Sequence, residues 1–150
     1  ILETDFEARI PDDYVNNVAE RLSLYQEMDN LKTEVELKQF TDQLIDRFGP
    51  LPRQVKELMI SFRLRWMAEK MGLERLVIKS GKMIGYFIAD PQSPFYETET
   101  FTQVLNHIQR NVKSCKLSEK NDRLRIIFED VKHIKDAFEQ LSGVTAQVEN

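Results

Sequence analysis

The sequence predicts an α+β fold: an N-terminal helical part of three helices, then two β-hairpins alternating with two helices. Three observations predict it. Apolar residues recur three and four apart from about residue 15 to residue 71, the helical period. That stretch is cut by one stiff corner, Gly49-Pro50-Leu51-Pro52. After Gly72 the period drops towards two, the signature of strands with unlike faces.

Each element has its own signal. Residues 5–10, DFEARI, alternate Phe6, Ala8 and Ile10 against charge, which predicts a short strand or an extended lead-in ended by Pro11. Asp12 or Asp13 can cap a first helix with apolar positions Val15, Val18, Leu22 and Tyr25, running to about Met28. Thr33-Glu34-Val35-Glu36 is a capping box that opens a second helix on Leu37, Phe40, Leu44 and Phe48. Gly49 can take positive φ and close it. Pro50 cannot continue a helix, and Pro52 suits the first turn of the next one.

The third helix is the longest, about Pro52 to Met71. It carries two apolar stripes, Val55/Leu58/Met59/Phe62/Trp66 and Ile60/Leu64/Met67/Met71, with a basic ridge of Lys56, Arg63 and Lys70 between them. A helix apolar on two sides is expected to be packed on both. Leu76–Lys79 and Met83–Ile88 predict a hairpin across Ser80-Gly81-Lys82. Residues 90–94 form a loop. Thr100 with Gln103 offers a capping box for a helix on Phe101, Val104, Leu105 and Ile108. Lys113–Leu117 and Leu124–Phe128 predict the second hairpin, across residues 119–122. Asp130 can cap a last helix with Val131, Ile134, Phe138 and Leu141, ended by Gly143, with residues 144–150 frayed. The whole reads as a single domain over 1–150: a helical part at 10–80, an α+β part at 81–143 and the tail.

Composition narrows the function classes. The chain is 41% hydrophobic and 31% charged, a soluble globular balance. No apolar run approaches the ~18–20 residues that span a bilayer, so no membrane role is expected. It shows no signal-peptide pattern and begins at Ile1, which reads as a piece of a longer chain. One cysteine, Cys115, excludes an internal disulfide and suits a reducing cytoplasm. Net charge is −4, unevenly spread: residues 1–49 carry 5 basic and 12 acidic side chains, whereas residues 50–90 carry 8 and 4.

Motifs for chemistry are missing. There is neither GxxxxGK[ST] nor GxGxxG, so no phosphate-cradling loop is expected. His107 and His133 lack a second ligand at metal spacing, and Cys115 reads as a small buried hydrophobe. No catalytic, cofactor-binding or metal-binding residue is expected. Two charged features remain. The ridge Lys56/Arg63/Lys70 can meet nucleic-acid phosphates or pair with the acidic first two helices. Asp46 falls in the last turn of the second helix, where a carboxylate opposes the macrodipole at about 0.3–1 kcal/mol. With Asp42 it makes a like-charge i,i+4 pair. Helix stability did not select these residues, so either Arg47 or Arg53 offsets them or a partner surface does.

Several blocks taken in order carry a family resemblance: IPDDYV (10–15), RLSLY (21–25), KTEVEL (32–37), LIDRFGPLP (44–52) and LRWMAEKMGLERL (64–76). Together, over about residues 10–80, they closely resemble the C-terminal (TRCF) domain of bacterial transcription-repair coupling factor, Mfd. The resemblance implies a parent that is an ATP- and Mg-dependent DNA translocase in the bacterial cytoplasm, which displaces stalled RNA polymerase and recruits the excision nuclease through UvrA. It implies a non-catalytic, cofactor-free regulatory domain. Such a domain docks on the N-terminal UvrB-like module of the same protein, covers the UvrA-binding surface and restrains the motor. On that reading the interdomain edge is Asp42, Gln43, Asp46 and Arg47. The alternative is an auxiliary nucleic-acid-binding domain using Lys56, Arg63 and Lys70.

Overall fold

The structure, a computed structural model, describes residues 1–149. Among the described residues the fold is α+β, with five α-helices and one five-stranded mixed sheet. The chain divides into two compact units, residues 7–60 and residues 1–6 with 61 onward.

The first unit is helical. After a turn led by Pro11, whose carbonyl accepts from the N–H groups of Tyr14 and Val15, helix α1 runs Val18–Met28. Asn17 caps it, its side chain accepting from the Glu20 N–H at 2.9 Å. The expected cap at Asp12 or Asp13 is therefore displaced, because residues 12–16 are spent on the turn that buries Val15. The expected apolar face shifts too. Leu24 and Met28 are buried, while Val18 and Leu22 are exposed.

Helix α2, Glu34–Phe48, starts as expected. Thr33 Oγ1 accepts from the Glu36 N–H at 3.1 Å. The Glu36 carboxylate reaches back one residue further than the simple box, to the Lys32 N–H at 3.1 Å. Gly49, at φ +91°, closes the helix with its N–H on the Ile45 carbonyl at 2.9 Å. Helix α3, Arg53–Lys70, begins here; from Ser61 on its residues belong to the other unit.

The second unit holds the sheet, in order β1-β2-β3-β5-β4. Strand β1 (Leu2–Thr4) lies parallel to β2 (Leu73–Lys79), and every other pair is antiparallel. The first strand thus falls at 2–4, not 5–10, and 5–10 form the irregular lead-in. Both hairpins close on two-residue turns with both residues at positive φ. These are Ser80-Gly81 (54° and 79°) and Asn121-Asp122 (53° and 62°), the type I′ geometry that matches strand twist. The second turn is tighter than expected, so β4 (Cys115–Lys120) and β5 (Arg123–Phe128) are longer. The hairpins join through β3 (Lys82–Phe87) and β5.

Helix α4, Glu99–Arg110, is capped by Thr98 and not by Thr100, because a 3-10 turn at Pro94–Glu97 delivers the chain two residues early. Helix α5 runs Ile134–Glu149. Its first turn is held by Asp136, whose Oδ2 accepts from the N–H groups of Lys132 (3.0 Å) and His133 (2.9 Å). Asp130, expected as its cap, sits at φ 57° in the preceding loop. Gly143 does not end the helix and the tail is not frayed up to Glu149: Val144 and Thr145 are buried and hold the last turns down. Asn150 lies outside the described residues.

Candidate interaction surfaces

The acidic edge of α2 is built by helical spacing. Leu37, Phe40 and Leu44 are buried, which turns residues 42, 43, 46 and 47 outward, and all four are exposed. The corner that follows is fastened. Tyr14 donates its hydroxyl to the Gly49 carbonyl at 2.8 Å, and its ring sits 5.7 Å from that of Phe48. Burial raises the Tyr14 phenol above its ordinary value, so it stays a donor at neutral pH. The prolines limit the loop and the tyrosine pins it, which fixes the end of α2.

The charges on this edge divide. Asp42 is met by Lys38 one turn back, Nζ to Oδ2 at 2.9 Å. Arg47 turns away, pairing with Glu20 of α1 and stacking on Phe48 at 4.8 Å. Arg53 pairs with Glu57 at 3.1 Å and Glu7 at 3.6 Å. Neither arginine offsets Asp46, which has no ion pair among the described residues. Exposed Val35 and Ile45 flank the acids on the same helix.

The ridge of α3 is less open than its spacing suggested. Lys56 is exposed, Arg63 is half-buried, and Lys70 is paired with Glu149 at 3.0 Å. Among the described residues no three His, Cys, Asp or Glu side chains gather to hold a metal. His107 is half-buried, and burial lowers its pKa. Cys115 is buried, and burial raises its thiol pKa out of the reactive range. No described helix is long and apolar enough to cross a membrane.

One cluster escaped the sequence reading. Arg75, Tyr86, Arg123, Arg125 and Lys120 converge around a surface cavity of about 400 Å³ on the sheet. Part of its signal was present: RLRII places Arg123 and Arg125 two apart, and RLVIK, KMIGY and KLSEK place basic or aromatic residues four apart, even spacings that share one strand face.

The molecule is in class an α+β domain that carries an exposed acidic helix edge beside a pinned corner. The TRCF domain family matches over residues 4–98, and the chain belongs to it. Transcription-repair-coupling factor of Escherichia coli K12 is 41% identical over 78 residues, 49% of this chain and 7% of that protein. That of Rickettsia conorii is 39% identical over 67 residues, 45% of this chain and 6% of that protein. That of Buchnera aphidicola is 26% identical over 141 residues, 94% of this chain and 16% of that protein. The chain thus spans a small part of these relatives. A crystal structure of the C-terminal domain of transcription-repair coupling factor superposes with a TM-score of 0.76 at 16% identity, over 99% of this chain and 93% of that one, a likeness of fold.

Proposed function

We propose that this chain is the regulatory C-terminal domain of a transcription-repair coupling factor and acts by docking, not by catalysis. It binds the N-terminal UvrB-like module of the same protein, masks the surface that UvrA would use, and releases it when RNA polymerase is engaged. The ATP- and Mg-driven motion along DNA belongs to other domains of the parent. The observation that carries this reading is Asp46. It is exposed in the last helical turn, against the macrodipole, with both candidate arginines committed elsewhere. A basic surface on the partner module completes that edge, with Asp42 and Gln43 beside it. Charge pairs of this kind set register and reversibility more than raw affinity, as a clamp that must open requires.

Calorimetry of this chain against the separately expressed N-terminal module tests it. Binding should weaken between low and moderate salt. Asp42→Ala/Asp46→Ala should lose about tenfold or more in affinity, roughly 1.4 kcal/mol. Binding unchanged in the double variant moves the interface off α2. No binding by either form sinks the docking reading.

A further inference from the structure

A second charged surface lies on the sheet, far in sequence from α2. The register puts Arg75, Tyr86, Arg125 and Ser118 opposite one another in a single row across β2, β3, β5 and β4. Directly opposed residues of antiparallel strands share a face. Arg123 and Lys120, also opposed, lie two residues from Arg125 and Ser118 and so on that same face. The guanidiniums of Arg75 and Arg123 stand over the Tyr86 ring, 5.1 and 5.7 Å from its centroid.

The charges do not balance. Arg75 is met by the Glu3 carboxylate through two hydrogen bonds, both 3.0 Å. Arg123 is met by Glu74 at 3.0 Å and donates Nε to the Phe87 carbonyl at 2.9 Å. Among the described residues Arg125 has only a neutral neighbour, Ser118 Oγ at 3.1 Å, and its buried Nε has no hydrogen-bond partner there. Lys120 has no ion pair among the described residues. The nearby acids Glu119 and Asp122 line a different cavity, with Tyr96 and Phe101. Two cations of the four are therefore unmatched. Lys116, two pairs along the edge strand, carries the positive face further along β4.

We infer that this sheet face binds the phosphodiester backbone of a nucleic acid. The Arg125 guanidinium, a planar fork met by a neutral hydroxyl and no carboxylate, suits an oxyanion. Unmatched cations along an edge strand suit a ligand whose negative charge repeats. A peptide laid on such an edge would be read through pockets for alternate side chains, and this cavity is walled by cations, Tyr86 and Asn121. Binding here is electrostatic and blind to base sequence.

The test is fluorescence anisotropy of a labelled 20-nucleotide single strand and of its duplex, titrated with the 150-residue chain between 50 and 200 mM salt. Lys120→Ala/Arg125→Gln should weaken binding about tenfold or more and flatten the log K against log salt slope by about 1.4 to 1.8, two phosphate contacts. Because Arg125 is partly buried, the exposed Lys120→Glu is run as well and should weaken binding on its own, with an unchanged melting curve. Lys56→Ala, on α3, should bind as the parent chain does. The inference is overturned if neither nucleic acid binds at 50 mM salt, if Lys120→Glu leaves binding intact, or if Lys56→Ala costs as much.

Discussion

Gly72 shows how one residue can be fixed twice over. Its φ is +83°, and a Cβ built there would lie 2.1–2.6 Å from three ring carbons of Phe95. Phe95 cannot yield freely, because its ring packs at centroid distances of 5.5–6.3 Å against Tyr96, Phe101 and Phe87. Gly49 also has positive φ, +91°, but open space around its Cβ position. Gly49→Ala should therefore cost only the strain of an extended backbone at positive φ, about 1–3 kcal/mol. Gly72→Ala should add an overpacking cost, for about 2–5 kcal/mol in all. Urea unfolding of both variants checks the difference; equal losses would mean the Phe95 cluster gives way. Both glycines were legible as helix ends. That one abuts an aromatic ring was not, since the ring is 23 residues downstream in the sequence.

At the scale of elements, legibility followed locality. The Thr33 box, the Gly49 end and the extent of α2 and α3 depend on residues within a few positions, and they fell where the pattern put them. Errors arose where an irregular turn or a distant contact decided. Thr98 displaces Thr100 because the Pro94–Glu97 turn sets the chain's entry to α4. Gly143 reads as a stop, but α5 continues because its later residues are covered. Gln147 Nε2 donates to Gln103 Oε1 on α4 at 2.7 Å, and Glu149 takes Lys70 of α3. The exposed ion pair adds little and one neutral hydrogen bond only about 1 kcal/mol, so the burial of Val144 holds the last turns. Val144→Ala should cost about 1.5–3 kcal/mol, the worth of an aliphatic side chain removed from water. A frayed tail would show no loss, and hydrogen exchange at residues 141–148 separates the two outcomes.

At the scale of the molecule, net charge conceals two opposite surfaces. The unit of residues 7–60 carries 7 basic and 11 acidic side chains, while the sheet unit carries 14 of each and sets Arg75, Lys116, Lys120, Arg123 and Arg125 on one face of the sheet. The α2 edge was legible because a helix turn puts its members side by side in the sequence. The sheet cluster was not, because Arg75 and Arg125 are brought together only by strand order. The same non-locality governs the pH response. His107 lies in the last turn of α4, whose negative end favours an imidazolium, yet burial outweighs this and lowers its pKa below the ordinary 6.5. Asn111 Nδ2 approaches His107 Nδ1 at 3.4 Å, a donor that suits only the neutral ring. The unfolded chain thus binds the proton more readily than the folded one. Stability is full above about pH 6.5 and falls as pH drops from there through the lower folded value. Glu3, its carboxyl held below the ordinary 4.5 by the hydrogen bond from Arg75, acts in the same direction in a separate, more acidic window. Urea unfolding at pH 7.5 and 5.5 should therefore show a loss on acidification that His107→Gln reduces. Were the variant to lose as much as the parent chain, the His107 imidazole would not be the group that senses the change, and the fall would have to come from other groups.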